Sequence, residues 1–493
     1  MSALILVAIL LPMLGGLLNI VLPIKNRKVM LAISLSTAFL TSIVAWFLIF
    51  SRPADSFVLF EFVNRYTISF KIDGLSSVFV GLISTLWPLA TLYSFEYMEH
   101  EAGADTISEK TFFGMYIITF GVTMGIATAD NMLTMYVFYE MLTLVTVPLI
   151  LFNLTKEAVH ATRKYITYSL GGAAFAFIAL IFLMHYGDSI AFTLGGVIDP
   201  AVVGDKIVVL RLIYVFGFFG FGVKAAIFPL CNWLPKAGVA PTPVTALLHA
   251  VAVVKSGAFA ILRLTYYSFG TEILSGTFAQ YIPMAFAIFT IVFGCAMAVK
   301  ERHLKRRLAY STISNLSYIL FAATLMTPLG LTGALSHMVF HGFMKICSFF
   351  CAGAVIAKAH KTYVYELDGI AKRMPKVMAI FTMSALALMG VPGLCGFISK
   401  YNIITAAVDL GGVLPLMGVG ALMISALLTS IYMLQIVVRA YFPTEGVLAT
   451  GERCDPTFRM LLPLSIFAVV IIYFGLFSGQ IVSYFNAVSG GLF

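Results

Sequence analysis

Charged residues are scarce in this chain of 493 residues, because only 11% of them are Asp, Glu, Lys or Arg while 60% are hydrophobic. A soluble protein of this length could not hide so much apolar surface, since roughly half of its residues must face water. Apolar runs of about 20 residues, each long enough to cross a bilayer of roughly 30 Å, recur from Leu4 to Val482. The composition therefore predicts an all-α polytopic membrane protein in a lipid bilayer.

Cysteine is also sparse, and none of the six cysteines forms a CxxC pair. Cys347 and Cys351 could share a helix face, but buried reduced thiols are the favoured interpretation. The sequence has no phosphate-binding loop, no dinucleotide fingerprint and no cysteine set for an iron–sulfur cluster. We therefore expect no cofactor and no redox chemistry in this chain.

Fourteen transmembrane helices are predicted. Basic residues cluster in the loops after the odd-numbered spans, whereas the loops after the even-numbered spans hold few, namely Arg52, Arg65 and Lys206. By the positive-inside rule the odd loops face the cytoplasm and both termini lie outside. The net charge of +9 is therefore mainly a topology signal and indicates no nucleic-acid partner. The spans are 2–23, 29–50, 72–95, 111–128, 131–153, 164–185, 207–228, 240–266, 279–299, 308–326, 330–356, 376–408, 413–438 and 460–482.

Two of these spans contain a break with a lysine close by. Span 7 is interrupted at Pro229 after Lys224, and span 12 is interrupted at 390-GVPGLCG-396 before Lys400. Helices 4–8 and helices 9–13 would then form two five-helix repeats, inverted because five is odd. Matching broken helices in two repeats indicate a transport site. The predicted units are 1–110 with helices 1–3, 111–266 and 279–440 with the two repeats, and 441–493 with a loop and helix 14.

A small group of ionisable residues lies inside the spans. Each charge costs about 2.5 to 3.5 kcal/mol near a helix centre, so such residues usually pair, face a hydrated cavity or lie on an ion route. We take these residues as the candidate proton-translocation site: Glu140, Lys224, His249, Lys255, His337, His341, Lys345 and Lys400.

Glu140, in 137-VFYEMLTLV-145, is the only acidic residue deep in a span, and Lys224 is the leading candidate for its partner. One interpretation is a static salt bridge between helices 5 and 7. The other is a switchable pair, because burial favours a neutral amine and a nearby carboxylate favours a charged one. A lysine beside a helix break also has a plausible water path for its proton, since unsatisfied backbone at membrane depth needs protein or water beside it.

The segment 337-HMVFHGFMK-345 places two histidines and a lysine at i, i+4 and i+8, which gives one polar stripe on an apolar helix. Histidine titrates near neutral pH, so the stripe favours proton relay over a metal site. His249 alone is more typical of a hydrogen-bonded packing residue, and Lys400 could instead snorkel to an interface.

Three other polar features have simpler interpretations. Asp130 is expected to be the N-cap of span 5. The cluster 302-RHLKRRLAY-310 is first a topology anchor, with anionic-lipid binding as a secondary role. The acidic run of Glu96, Glu99, Glu101, Asp105 and Glu109 is expected to form a solvated loop.

The order and spacing of six motifs resemble the antiporter-like subunits shared by respiratory complex I, membrane-bound energy-converting hydrogenases and Mrp-type cation/proton antiporters. The motifs cover about residues 70 to 400. They are 129-ADNMLTMYVFYEMLTLVTVPLIL-151, 223-VKAAIFPLCNWLPKA-237, 241-PTPVTALLHAVAVVKSGAFAILR-263, 303-HLKRRLAYSTISNLSYI-319, 337-HMVFHGFMKICSFFCAGA-354 and 391-VPGLCGFISK-400.

The resemblance implies fourteen helices, two inverted repeats and a chain of titratable groups along mid-membrane. By matching position, Glu140 and Lys224 would be the family's ion pair and Lys400 the residue at the exit. The central relay would consist of His249, Lys255, His337, His341 and Lys345. Two positions depart from the family pattern: His303 stands where an aspartate is usual, and Ser317 where glycine is frequent.

The resemblance also implies a place in a multisubunit complex of a prokaryotic plasma membrane, with further antiporter-like subunits as partners. Iron–sulfur clusters, a Ni–Fe site or a quinone would belong to partner subunits. The shorter branch without a lateral C-terminal helix is the better match. Proton translocation is expected, with exchange for Na⁺ and an Mrp-type antiporter without redox coupling left open. A self-sufficient solute carrier and a structural scaffold are the rivals from other classes.

Overall fold

A computed structural model describes residues 2–53, 55–62, 66–101, 106–443 and 452–491. Most of these residues are helical. The longer helices of the first part are α1 (Ala3–Val21), α2 (Arg27–Ser51), α3 (Gly74–Glu101), α4 (Glu109–Thr128), α5 (Met132–Ile150) and α6 (Lys156–Tyr186). They are followed by α7 (Pro200–Val203), α8 (Ile207–Gly222), α9 (Trp233–Lys236), α10 (Thr242–Ala250), α11 (Val253–Leu262) and α12 (Thr271–Leu274).

The second part begins with α13 (Phe278–Lys300), α14 (Leu304–Thr324), α15 (Pro328–Ala359) and α16 (Ile370–Arg373). The remaining helices are α17 (Pro375–Met389), α18 (Cys395–Leu410), α19 (Val413–Tyr441), α20 (Phe458–Leu476) and α21 (Gly479–Ser489). A short antiparallel hairpin, β1 (Phe57–Glu61) with β2 (Thr67–Phe70), lies between α2 and α3 and is an addition to the predicted all-α fold.

The described residues contain 11 helical segments long and apolar enough to cross a membrane, so the chain is a multi-pass membrane protein. Three predicted spans do not reach that standard. Helix α8 has 16 residues, the predicted span 376–408 is divided into pieces of 15 and 16, and α14 carries several serines and an asparagine. Each of the three is helical over most of its predicted range, but fourteen crossings remain a prediction.

Both predicted breaks are present. Helix α8 ends at Gly222, so Lys224 lies within the break rather than before it, and regular helix resumes only at Trp233. Ala226 has a φ of 57°, which an α-helix cannot include. In the second break, Gly390 ends α17 with a φ of 92°, a left-handed conformation that glycine adopts without strain.

A third break was not predicted. The expected continuous span 240–266 divides into α10 and α11, because the backbone N–H groups of Val251 and Ala252 both bond to the carbonyl of Leu247. Residues Arg263–Phe269 then form a turn of π-helix. No local signal in the sequence predicts this break, since no glycine or proline stands there. Tertiary packing of this fully buried segment overrides the local helix preference.

Helix α15 is the centre of the molecule. Thr327 caps it by accepting a hydrogen bond from Gly330 N at 3.0 Å, Pro328 occupies its first turn, and it ends at His360 with a φ of 54°. Almost all of its residues are buried, including the polar stripe that interrupts its otherwise apolar surface. It packs against α3, α10, α14, α17, α18, α20 and α21.

The acidic run does not form a solvated loop. Helix α3 continues to Glu101, and Glu96 is buried in an ion pair with Lys358, with 2.7 Å between Nζ and Oε1. Thr457 also donates to Glu96 through its backbone and its hydroxyl. Arg27 pairs with Glu99 at 2.8 Å and with Glu109 at 2.6 Å, whereas Asp105 lies outside the described residues. The prediction failed because the partners come from distant parts of the sequence.

The N-cap of α5 is Asn131, not Asp130. Asn131 Oδ1 accepts from Thr134 N at 2.8 Å. Asp130 instead accepts a longer hydrogen bond of 3.4 Å from Ser69 Oγ at the edge of the hairpin. The prediction was wrong by one residue, which is the ordinary uncertainty of helix ends.

Candidate functional site

The candidate residues lie deep in the protein. His249, Lys224, Lys255, His337, His341 and Lys345 have no exposed surface, and Lys400 is 7% exposed. Glu140 is partly buried. They occur on α5, the α8 break, α10, α11, α15 and α18, so elements from both predicted repeats contribute to the site.

The first cluster is at the α8 break. Lys224 Nζ donates to the backbone carbonyl of Tyr139 and lies 3.4 Å from the centroid of the Tyr139 ring. Tyr139 OH donates in turn to Phe221 O at 3.2 Å, so the ring is anchored to the end of α8. The lysine is therefore docked on α5 through a carbonyl and a cation–π contact.

Glu140 is the residue next to this anchor on α5. Among the described residues, no ion pair within 4 Å joins Glu140 to Lys224, and the buried Glu140 Oε1 has no hydrogen-bond partner. The structure thus brings the predicted partners to neighbouring positions without closing a static salt bridge. An unsatisfied buried carboxylate oxygen is costly and indicates a place for water or for a moving cation.

The second cluster joins α11, α15 and α18. Lys255 Nζ lies 2.8 Å from His341 Nδ1, and the rings of His341 and His337 have centroids 5.5 Å apart. His337 Nδ1 lies 2.9 Å from Ser399 Oγ. In the described part of the chain, Nε2 of each histidine has no hydrogen-bond partner. Both rings thus keep one nitrogen free for a second proton acceptor or donor.

Lys345 lies one helical turn beyond His341, and its side chain contacts α14. Its Nζ donates to Ser311 Oγ at 2.7 Å and to Leu308 O at 3.2 Å. Tyr432 OH, on α19, donates to the same Ser311 Oγ at 2.6 Å. The predicted stripe is present on α15, but its lysine end belongs to a different hydrogen-bonded group from its histidines.

Lys400 is directed at the second break. Its Nζ donates to Leu388 O at 2.8 Å and to Met389 O at 2.9 Å, the last carbonyls of α17. It also lies 5.6 Å from the centroid of the Tyr318 ring. Orphan carbonyls and the negative end of the helix dipole favour a cation at this place. Lys400 therefore points into the protein and does not snorkel to an interface.

His249 stacks on Phe349 with the ring centroids 4.9 Å apart. Neither of its ring nitrogens has a hydrogen-bond partner among the described residues. The stacking agrees with a packing role, but a packing histidine usually satisfies at least one nitrogen. The two free nitrogens keep His249 available to the relay that the sequence predicts.

A buried hydroxyl and thiol network was missed by the sequence reasoning. Tyr318 OH donates to Ser425 Oγ at 2.7 Å, and Ser425 Oγ lies 2.9 Å from Cys295 Sγ. Cys295 Sγ is 3.6 Å from Thr429 Oγ1, which is 3.2 Å from Tyr432 OH. The network thus runs from Ser311, which holds Lys345, to Tyr318, whose ring lies beneath Lys400. A spacing of i, i+4 and i+7 in Ser425, Thr429 and Tyr432 was the available signal.

A second missed feature is the Asp73–Arg263 pair. The buried Arg263 donates from Nη1 to Asp73 Oδ2 at 2.6 Å and from Nη2 to Asp73 Oδ1 at 2.8 Å and Ser76 Oγ at 2.8 Å. Burial by itself raises the pKa of Asp73, but the charge and hydrogen bonds of Arg263, together with those of Ser76, outweigh it and lower that pKa. The pair fixes the start of α3 against the π-turn that follows α11.

The two departures from the family pattern are accommodated locally. His303 N and Arg302 N both donate to Glu301 Oε1 at 2.9 Å, so Glu301 organises the turn before α14. Ser317 is buried and donates to Ile313 O at 3.1 Å within α14. Among the described residues, neither His303 nor Ser317 forms a hydrogen bond with the clusters described above. In the residues that the structure covers, no group of three or more His, Cys, Asp or Glu could hold a metal ion.

Comparison with known proteins gives consistent results. Residues 129–429 match the family described as NADH:quinone oxidoreductase/Mrp antiporter, TM, and residues 63–106 match NADH-ubiquinone oxidoreductase (complex I), chain 5 N-terminus. The NADH-quinone oxidoreductase subunit N of Desulforudis audaxviator is 31% identical over 433 residues, which are 84% of this chain and 83% of that protein. An NAD(P)H-quinone oxidoreductase chain 4 of Picosynechococcus sp. is 29% identical over 473 residues, covering 91% and 84%.

Solved structures share the fold. A chain of the Mrp complex from Dietzia sp. superposes with a TM-score of 0.86 at 20% identity, covering 100% of this chain and 97% of that one. A chain of an archaeal membrane-bound sulfane sulfur reductase gives 0.84 at 22% identity, with coverages of 99% and 97%. A chain of respiratory complex I from Thermus thermophilus gives 0.82 at 20% identity, with coverages of 99% and 98%.

Proposed function

Because the chain belongs to the NADH:quinone oxidoreductase/Mrp antiporter family of transmembrane subunits, we propose that it translocates protons through its buried Glu/Lys/His relay as part of a redox-driven membrane complex. The relatives from Desulforudis audaxviator and Picosynechococcus sp. are named as subunits of NADH- or NAD(P)H-quinone oxidoreductases. Their names favour a redox-driven complex over an antiporter without redox chemistry.

The main support for this proposal comes from the hydrogen-bond partners of the four buried lysines. Lys224, Lys255, Lys345 and Lys400 bond to carbonyls, a hydroxyl and an imidazole, and among the described residues none of them has a carboxylate within 4 Å. A structural scaffold would pair buried charges, since an uncompensated ion is strongly destabilising. An amine with only neutral acceptors can gain or lose its proton without breaking an ion pair, which suits a carrier of protons.

The path that these groups suggest starts at the α8 break. A proton reaches Lys224, whose affinity for it depends on how near Glu140 lies, because a carboxylate favours the charged amine. It continues through Lys255 and His341 to His337, with His249 and Lys345 beside them. It leaves by Lys400 at the second break. Water would join the clusters, as it must wherever polar groups at membrane depth are not in contact.

We also propose which subunits and which membrane surround this chain. Its partners would be other membrane subunits, among them further antiporter-like subunits, with iron–sulfur clusters, a Ni–Fe site or a quinone in the redox subunits. We propose a prokaryotic plasma membrane as its location, and the distribution of basic loops favours both termini on the outer side. The alternative is a subunit of an Mrp-type antiporter that exchanges Na⁺ for protons without redox chemistry, and the shared fold keeps it open.

The test uses the native complex, tagged on this subunit, purified in mild detergent and reconstituted into vesicles. Glu140→Gln and Lys224→Met, singly and together, should each abolish most proton translocation while the subunit composition is unchanged. The double variant should be no worse than the single ones, because the two residues act as a unit. Unchanged translocation in the intact double variant would reject the proposed path.

Mass spectrometry of the same preparation decides between the two hosts. Iron–sulfur, nickel or quinone-reactive subunits would indicate a redox-driven pump. Small hydrophobic membrane subunits alone would indicate an Mrp-type antiporter, which should show Na⁺-dependent proton exchange. Transport by this chain reconstituted alone would instead support a self-sufficient carrier.

A further inference from the structure

A cavity of about 450 Å³ opens where the start of α6, the end of α9 and the start of α14 meet. Four basic side chains line it, from three separate elements: Lys156, His160, Lys236 and Arg306. By the distribution of basic loops this is the cytoplasmic side of the membrane. The segment that supplies Asn232 to Lys236 follows directly from the α8 break, so the cavity lies close to the break that carries Lys224.

The lysine and arginine side chains of this cavity, Lys156, Lys236 and Arg306, outnumber its two carboxylates, so the protein neutralises its positive charge only in part. Lys164 lies close to Lys236, and the interaction of these two amines is the largest cause of the lowered pKa of Lys236. Among the described residues, none of Lys156, Lys164, Lys236 and Arg306 has a carboxylate within 4 Å. Like charges held together without a counter-ion are unfavourable, and a bound anion would relieve them.

The two carboxylates of the cavity are oriented by the backbone. Glu301 Oε1 accepts hydrogen bonds from Arg302 N and His303 N, each at 2.9 Å. Glu157 lies in the first turn of α6, where the helix dipole favours an acidic residue. Their presence reduces the positive field, but they leave the amines and the guanidinium of the cavity unpaired.

An aromatic surface lies close to the cavity, because Gly294, which follows Phe293 on α13, packs against the backbone of Tyr310, which lines the cavity. Phe228 packs against Phe289 with ring centroids 4.8 Å apart and against Phe293 with centroids 5.2 Å apart. Phe289 is 51% exposed, so this surface faces the lipid. Phe293 precedes the cavity residue Glu301 by eight positions along α13, which is about 12 Å of helix rise. An acyl chain attached to a headgroup in the cavity would reach these rings.

We propose that the cavity formed by Lys156, His160, Lys236 and Arg306 binds the phosphate group of an anionic phospholipid of the cytoplasmic leaflet, whose acyl chain lies against Phe228, Phe289 and Phe293. The basic groups alone would suit any phosphate, but the adjoining lipid-facing aromatic surface selects a lipid as the source. The bound lipid would hold α6, α9 and α14 together beside the α8 break. This site is independent of the proposed proton path and uses none of its residues.

The experiment measures lipid retention rather than transport. The native complex is delipidated in detergent and titrated with phosphatidylglycerol or phosphatidylcholine, and the bound lipids are counted by native mass spectrometry. The wild type should retain phosphatidylglycerol in preference to phosphatidylcholine. The double variant Lys236→Gln/Arg306→Gln should bind phosphatidylglycerol about 30-fold more weakly, since each basic group near an anionic surface contributes about 1 kcal/mol and about 1.4 kcal/mol corresponds to a factor of ten.

The matched control is Lys300→Gln/Arg302→Gln, which removes two exposed basic residues next to Glu301 that do not line the cavity. It should retain phosphatidylglycerol like the wild type, whereas equal losses in both double variants would reduce the effect to net charge and overturn the proposal. Phe289→Ala should also weaken retention of phosphatidylglycerol. Displacement of the lipid by inorganic phosphate at equal concentration would show a free-phosphate site instead and would overturn the lipid assignment.

Discussion

Lys255 Nζ and His341 Nδ1 are 2.8 Å apart, which joins two residues that lie 86 positions apart in the sequence and on opposite sides of the predicted repeat boundary. The contact exists because α11 begins anew at Val253 after the unexpected break and packs against α15. It gives the central relay its only direct lysine–histidine link among the described residues.

Replacing His341 should stop the relay without unfolding the protein. His341→Gln keeps a hydrogen-bond acceptor for Lys255 but cannot take up a second proton near neutral pH. Proton translocation should fall by about 100-fold, the lower range for loss of a positioned acid–base group. Proton uptake by vesicles containing the reconstituted complex measures it. A variant that retains at least half of the wild-type rate would remove His341 from the path.

Removing a group of the hydroxyl and thiol network should lower proton translocation measurably, but less than removing a buried lysine. Tyr432→Phe deletes one hydroxyl and separates Ser311 from Thr429, so translocation should fall by roughly 3- to 10-fold, consistent with the loss of one or two hydrogen bonds. Cys295→Ala should lower the translocation rate, whereas Cys295→Ser should keep the wild-type rate. The serine hydroxyl replaces the thiol as donor and acceptor. Ser430→Ala is the matched control, since among the described residues the hydroxyl of Ser430 bonds only to Ala426 O in its own helix. Equal rates in Tyr432→Phe and the control would exclude the network.

The Asp73–Arg263 pair predicts an acid-sensitive stability. The pKa of Asp73 is lower in the folded chain than the value of about 3.9 in an unfolded one. Its ionised form therefore stabilises the fold above that pH, and the contribution is lost as the pH falls through the folded pKa. Thermal unfolding in detergent should show the loss as the pH is lowered below about 4.

Asp73→Asn should lower the free energy of unfolding at neutral pH by about 3 kcal/mol, because it leaves the buried Arg263 without its counter-ion. The variant should also lose the part of the acid sensitivity that belongs to Asp73. Curves for wild type and variant that remain parallel down to acidic pH would contradict this role.

Gly390 should not tolerate a side chain. Its φ of 92° is unfavourable for other residues, and an added Cβ would lie 3.1 Å from Lys400 Cδ and 3.3 Å from Lys400 Nζ. Gly390→Ala should therefore displace Lys400 from the carbonyls of Leu388 and Met389 and reduce translocation together with stability by about 1 to 3 kcal/mol. Gly171→Ala, at a place with open space around it, is the control. Equal behaviour of the two variants would show that the geometry around Lys400 is not critical.

Local signals in the sequence were sufficient for much of the fold. Long apolar runs predicted the membrane helices, and Pro229 and the 390–396 glycines predicted two breaks that the structure confirms. The third break, between Ala250 and Val253, could not be predicted because it depends on the packing around a fully buried segment and not on a glycine or proline. The prediction of a solvated acidic loop failed for a related reason, because Lys358 and Thr457, which contact Glu96, are remote from it in the sequence.

The candidate site was predictable at the level of residue type and depth. Charges inside apolar spans are costly enough to be noticed individually, so Lys255, Lys345 and the histidines were found. Their partners were not, because serine, threonine, tyrosine and cysteine are common in membrane helices and carry no such signal. Arg263 was missed because it stands at the end of a predicted span, where a basic residue resembles a topology marker. Only the fold shows that it is buried against Asp73.

The most direct test of the account measures proton translocation by the reconstituted native complex with Lys255, Lys345 or Lys400 each replaced by methionine. Lys372→Met, at an exposed position of α16, serves as the control. We expect the three buried variants to assemble normally and to lose at least about 90% of translocation, while the control keeps the wild-type rate. Assembled complexes in which all three buried variants translocate protons like the control would contradict the relay.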